Sequence, residues 1–228
     1  MKYLKEYIET FLSEGRHDKY NNKLILFFGS PGTGKSTFIK SLKAKGLKHS
    51  TPDDILNLLV KRNYLDTEKA DSESSAYEKF GSEIFSNFRG QSLEKATSRL
   101  ESWKSSPLGI VMEGTGTYPD WYLEEVIIPF QDRGYDIMIV MLYKELDVCI
   151  ARNNNRSRKL PDNVISSLHE GFLNNYNEFK NIALTRSLDF ATIYIDDQAS
   201  DDVIPEFIQN DMVDKQEAER QIQKFLDK

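Results

Sequence analysis

An α/β fold built on a parallel sheet is what this sequence predicts. Three observations carry the prediction: short apolar runs recur between helical patterns, a glycine-rich turn follows the first run, and an acid closes the third. The first run, Lys23 to Phe28, is almost continuously apolar and bounded by Asn21-Asn22 and Gly29, as a strand buried on both faces would be. Similar runs lie at Gly109 to Met112, Asp136 to Leu142 and Ala191 to Ile195, with a weaker candidate at Leu47 to Ser50. Strands alternating with helices pair in parallel through right-handed crossovers.

The helices follow from apolar spacing. Leu4, Ile8, Phe11 and Leu12 predict a short opening helix that Gly15 can end. A helical insertion occupies about residues 55–106, with Ile84, Phe85 and Phe88, then Leu93, Ala96 and Leu100, at helical spacings. The acidic, serine-rich piece Asp66 to Ser75 lacks that periodicity and reads as a loop. After Pro161, the residues Val164, Ile165, Leu168, Phe172 and Tyr176 predict an amphipathic helix, and Lys215 to Phe225 a terminal one.

Residues 1–228 read as one domain, and 39% hydrophobic with 29% charged residues is a composition that can bury a core. A net charge of −6 argues against broad nonspecific binding to nucleic acid, though it leaves room for a local basic cleft. The single cysteine, Cys149, excludes an intramolecular disulfide. Charges run throughout the N-terminal segment, and no apolar run approaches the ~20 residues of a membrane helix, so a cytoplasmic protein is expected.

The turn after the first strand is the most specific signal. Gly29, Ser30, Pro31, Gly32, Thr33, Gly34, Lys35 and Ser36 match G-x-x-x-x-G-K-[ST], after an apolar strand and before the helical run that opens with Thr37. Glycines let backbone N–H groups converge on an anion at a helix N-terminus, whose dipole also favours negative charge. In such a loop Lys35 reaches the β- and γ-phosphates of ATP, and Ser36 offers its hydroxyl to Mg²⁺.

Three further sites are candidates. Glu113 follows Gly109 to Met112 at the carboxyl edge of the third strand, where open α/β sheets place ligands; it is positioned to hold Mg²⁺ through water or to contact an acceptor. Asp53 and Asp54 closely follow the predicted second strand, where a carboxylate could deprotonate a hydroxyl. Thr51, Pro52 and the two acids are equally a helix start, with cap, proline and first-turn acids, and both readings stand. Arg152, Arg156, Arg158 and Lys159 follow the fourth strand, where cations can close over a triphosphate as a lid at about 151–161. His17, His49 and His169 form no metal-ligand pattern and read as surface or packing residues, while Trp103 and Trp121 read as packing.

On these residues the chain resembles the P-loop kinases grouped around zeta toxins and polynucleotide 5′-hydroxyl kinases, over roughly Leu24 to Ile195. Gly29 to Ser36 match the loop of that group, and Asp53 is similar to its base. Glu113-Gly114-Thr115 looks like the Glu-Gly-Thr of zeta-type members. Arg156, Arg158 and Pro161 resemble its lid. The resemblance implies a P-loop NTPase fold with a five-stranded parallel sheet in the order 2-3-1-4-5. The insertion matches no single acceptor class.

Together these readings set the expectation of an ATP- and Mg²⁺-dependent kinase. Lys35, Asp53, Arg156 and Arg158 are its catalytic candidates, Gly29 to Thr37 bind the nucleotide, and Ser36 with Glu113 serve the metal. The acceptor is a hydroxyl of a nucleotide or nucleotide sugar, the small acceptor being favoured by the acidic balance; a polynucleotide 5′-hydroxyl is the rival. A nucleotide-binding switch or partner-binding module without catalysis is the alternative of another class.

Overall fold

The computed structural model describes residues 20–42, 46–50, 90–92, 94–96, 98–103, 106–155, 160–194 and 204–228. The expected opening helix at Leu4 to Leu12, the loop Asp66 to Ser75, Asp53, Asp54, Arg156, Arg158 and most of the insertion lie outside these residues. Of the insertion, residues 90–92, 94–96 and 98–103 are helical, and Ala96 and Leu100 are buried as their spacing predicts.

The core strand is β1, Lys23–Phe28, all six of whose residues are buried. It is followed by α1 (Lys35–Ser41) and β2 (Lys48–Ser50). Next come β3 (Ile110–Gly114), α2 (Pro119–Tyr122), a wide helical turn at Leu123–Ile127, and α3 (Ile128–Gln131). Then follow β4 (Asp136–Tyr143), α4 (Leu146–Asn154), α5 (Asp162–Thr185), β5 (Asp189–Tyr194), α6 (Glu206–Gln209), β6 (Met212–Val213) and α7 (Lys215–Leu226). The wide turn has a local cause: Pro129 has no N–H to donate, and the Ile128 N–H reaches back five residues to the Leu123 carbonyl.

The strands form one sheet in the order β2-β3-β1-β4-β5-β6, every pair parallel. The expected order 2-3-1-4-5 is present, but the count of five is corrected to six. The extra strand pairs only Met212 and Val213 with Thr192 and Ile193, and a two-residue strand has too little pattern to be read from sequence. The insertion of a glycine-rich loop between β1 and α1, together with this order, is the P-loop kinase architecture.

Alternation along the central strands divides the core. Leu24, Leu26 and Phe28 of β1 join Ile137, Ile139 and Met141 of β4 under Val126, Ile127 and Phe130 and under Phe172, Tyr176 and Phe179 of α5. Ile25 and Phe27 join Met138, Val140 and Leu142 on the other face, under Phe38 of α1 and Ile222 and Phe225 of α7. The period of two in the strands and the 3.6-residue period in α5 therefore meet at one interface. The terminal helix starts at a side-chain N-cap, with the Asp214 carboxylate accepting from the Glu217 N–H at 2.8 Å.

Phe28, the last residue before the loop, packs with its ring centroid 4.4 Å from that of Phe179 and 4.6 Å from that of Tyr122. Removing the Phe179 ring should therefore leave a cavity beneath the loop. Phe179→Ala is expected to cost about 3–5 kcal/mol in urea unfolding. Leu184→Ala, at a side chain 78% exposed on the same helix, should stay within about 0.5 kcal/mol.

Candidate active site

The loop leaves β1 and turns back on itself through its own carbonyls. The Ser30 carbonyl accepts from the Thr33 N–H at 3.3 Å, from the Thr33 hydroxyl at 2.9 Å and from the Lys35 ammonium at 3.0 Å. Lys35 also donates to the Gly29 carbonyl at 2.5 Å. Gly32 and Gly34 both have φ of +95°, which residues with a Cβ adopt only under strain. At Gly32 a side chain is excluded twice over, because a Cβ would collide with the Cys149 carbonyl and lie 2.8 Å from its Cα. Ser36 and Thr37 remain exposed at the mouth of the loop.

Arg152 of α4 reaches the same loop, its Nη1 donating to the Gly32 carbonyl at 3.3 Å and the Thr33 carbonyl at 3.4 Å. The sequence placed Arg152 at the start of a cationic segment but did not single it out. The two flanks of that segment are joined, since Asn153 donates to the Leu160 carbonyl at 2.8 Å and accepts from the Leu160 N–H at 3.0 Å. Arg156 and Arg158 fall between these flanks, outside the described residues.

The parallel register of β1 and β3 sets Phe27 opposite Glu113 and Phe28 opposite Gly114, so the acid of β3 stands beside the loop. The Ser36 hydroxyl donates to Glu113 Oε2 at 2.9 Å, and His49 Nε2 of β2 stands 2.7 Å from Oε1. The second contact has the distance of an ion pair without hydrogen-bond alignment, which leaves Oε1 buried with no aligned donor. Burial pushes the Glu113 pKa up, but His49, the Ser36 hydroxyl and the Lys35 charge together outweigh it and hold the carboxyl below its ordinary 4.5. An ionised carboxylate and a hydroxyl are hard oxygen donors of the kind Mg²⁺ takes, and the unmatched Oε1 lone pair suits a metal-bound water. These residues fit the ion. Among the described residues no group of three or more His, Cys, Asp or Glu is placed to bind a metal without further ligands.

After Glu113 the chain is held tightly. A Cβ at Gly114 would fall on the Tyr122 hydroxyl, whose burial pushes its pKa up to about 12. Thr115 and Thr117 share a hydrogen bond at 2.8 Å, and Asn175 of α5 donates to the Gly116 and Thr117 carbonyls at 3.4 and 3.1 Å. Glu113 is thus presented from a strand end braced by α2 and α5, with little freedom to move. Of the two tryptophans, Trp103 packs against the core as expected, whereas Trp121 is 43% exposed.

Two of the histidines read as surface or packing residues belong to the site. His49 touches Glu113, and His169 is buried and shares a 3.0 Å hydrogen bond with the Ser30 hydroxyl. Neither had a signal in the sequence, because each meets its partner only through sheet pairing or helix docking.

One family and three solved structures are similar to this chain. The sequence matches the family described as zeta toxin over residues 9–205. The chain is similar to a solved structure from the PezAT chromosomal toxin-antitoxin system of Streptococcus pneumoniae, at 14% identity, 99% of this chain, 97% of that one and a TM-score of 0.54. It is also similar to a chain of the Pnkp1/Rnl/Hen1 RNA repair complex, at 13% identity, 70% of this chain, 46% of that one and a TM-score of 0.45. Shikimate kinase from Acinetobacter baumannii in complex with shikimate aligns at 13% identity, 95% of this chain, 96% of that one and a TM-score of 0.41. At 14% identity the likeness to the PezAT structure is one of fold.

The balance on Glu113 gives a titration to measure. Its folded pKa lies below the unfolded value, so its contribution to stability is fully present above 4.5 and is lost as pH falls through the lower folded value. Carboxyl titration by NMR should find Glu113 below 4.5, and His49→Ala should move it upward, because burial is then less opposed.

Proposed function

This chain belongs to the zeta toxin family, and from that membership we propose that it is a kinase that transfers the γ-phosphate of ATP to a hydroxyl of a nucleotide or nucleotide sugar. The observation that carries the reading is the 2.9 Å bond between Ser36 of the loop and Glu113 of the third strand. It brings the phosphate cradle and an ionised acid to one point at the carboxyl edge of a parallel sheet, where such sheets take ligands.

Each side chain has a part in that reaction. The loop N–H groups and the α1 N-terminus bind the phosphates. Lys35, held by the Gly29 and Ser30 carbonyls, exchanges them for β- and γ-phosphate oxygens. Ser36, and Glu113 through a water, would hold Mg²⁺, which when bound would neutralise charge on those oxygens. Asp53 takes the proton of the attacking hydroxyl. Arg156 and Arg158 close over the triphosphate and stabilise its transition-state charge. Arg152 supports the loop from its outer side through Gly32 and Thr33. The net charge of −6 favours a small acceptor over a long nucleic acid, whose many phosphates such a surface would repel.

Purified protein incubated with labelled ATP and Mg²⁺ against nucleosides, nucleotides, nucleotide sugars and 5′-hydroxyl DNA and RNA should label the nucleotide or nucleotide-sugar class. Lys35→Ala should lower that transfer by ~10²-fold or more, and Asp53→Ala by ~10²- to 10⁴-fold. Label on 5′-hydroxyl ends alone would identify a polynucleotide kinase instead. Tight ATP binding with no transfer to any acceptor would identify a switch or partner-binding module, and unchanged transfer in Asp53→Ala would remove that residue from the mechanism.

A further inference from the structure

Behind the loop, on the side away from Ser36 and Glu113, lies a buried polar cluster that the proposed chemistry does not use. Ser30 is fully buried, and its hydroxyl is bonded to His169 Nδ1 of α5, itself only 6% exposed, across 139 positions of sequence. The His169 ring lies 5.9 Å from that of Tyr143, at the end of β4. Burial lowers the His169 pKa, against the opposing charge of Glu145. Glu145 begins α4 and is buried with Lys144 3.3 Å away, and its Oε1 accepts from the Tyr194 hydroxyl at 2.6 Å.

The consequence for the loop runs through Ser30. Its carbonyl is the shared acceptor for the Thr33 N–H, the Thr33 hydroxyl and the Lys35 ammonium. Wherever the Ser30 peptide sits, the turn at Thr33 sits with it, and so does the head of Lys35 before nucleotide binds. A hydroxyl turned inward onto a buried imidazole is a way to hold that peptide from behind, and a bond in so dry a place has no water to replace it once lost.

We propose that His169 is a positioning residue for the nucleotide loop, acting through the Ser30 hydroxyl to fix the Ser30 carbonyl and with it the turn at Thr33, and the head of Lys35 until nucleotide draws it away. The inference rests on the nucleotide-binding part of the proposed function, and leaves open which acceptor is used. Tyr143 at the end of β4 borders the imidazole and Glu145 acts on it through its charge, so α5 and the end of β4 together back the loop. At 6% exposed and bonded to the buried Ser30 hydroxyl, His169 is placed to act through the loop.

The test is binding of a fluorescent ATP analogue with Mg²⁺, alongside thermal unfolding, in the full chain. Ser30→Ala and His169→Phe should each weaken binding roughly three- to tenfold, the scale of one buried hydrogen bond. The double variant should bind no more weakly than either single one, since both remove the same bond. His169→Asn, which keeps a polar atom near the Nδ1 position, should recover much of the affinity, whereas a residue needed only for packing would gain nothing from it. Should His169→Phe fail to fold, Ser30→Ala and His169→Asn decide the matter. Wild-type affinity in the folded single variants, or effects of the two that add, would overturn the proposal while leaving the kinase reading intact. Absence of ATP binding by the wild-type protein would overturn both.

Discussion

The hydrogen bonding of β1 on both edges is the constraint on which the rest of this structure depends. Its parallel pairing with β3 sets Phe28 opposite Gly114, and its pairing with β4 sets Phe28 opposite Met141. With all six residues buried, a slip by one position would send Leu24, Leu26 and Phe28 to the face that now takes Ile25 and Phe27. The register is therefore set by packing on two faces at once. Because the loop begins at the next residue, the same register decides which atoms of β3 and β4 border it.

From that register the chemistry of the edge follows. Glu113 is delivered beside Ser36, and β2, paired to the outer edge of β3, brings His49 to the other carboxylate oxygen. Desolvation at such a strand end works against a charged carboxyl, and the site counters it with a hydroxyl and two cationic or potentially cationic neighbours. The result is an acid kept ionised in a mostly enclosed position, as a metal-binding carboxylate must be. The strain of the loop is carried by glycine at Gly32 and Gly34, while Arg152 and the Cys149 backbone press on it from α4.

Aromatic packing joins the two halves of the site. Phe28, Tyr122 and Phe179 form one stack of rings under the start of the loop, and Tyr122 also fills the space that a side chain at position 114 would need. The Gly in Glu113-Gly114-Thr115 therefore serves close packing as well as the turn. On the same helix as Phe179, Asn175 holds the carbonyls of Gly116 and Thr117, so α5 supports both the loop after β3 and the loop after β1.

The linear order of residues was enough to place β1, the phosphate loop, α5 and the terminal helix, because each is written in local terms: a six-residue apolar run, glycines at fixed offsets before Lys35, and apolar residues at a helical period. It placed Glu113 at a strand end for the same reason. The partners of those residues were a different matter. His49 and Glu113 are 64 positions apart, Ser30 and His169 are 139 apart, and Arg152 and Gly32 are 120 apart. No periodicity spans such separations, and a lone histidine or arginine carries the same local pattern whether it faces water or a buried hydroxyl. Those pairings exist only once parallel register and helix docking have brought distant segments together, and it is the folded chain that set His49, His169 and Arg152 against partners their local pattern could not name.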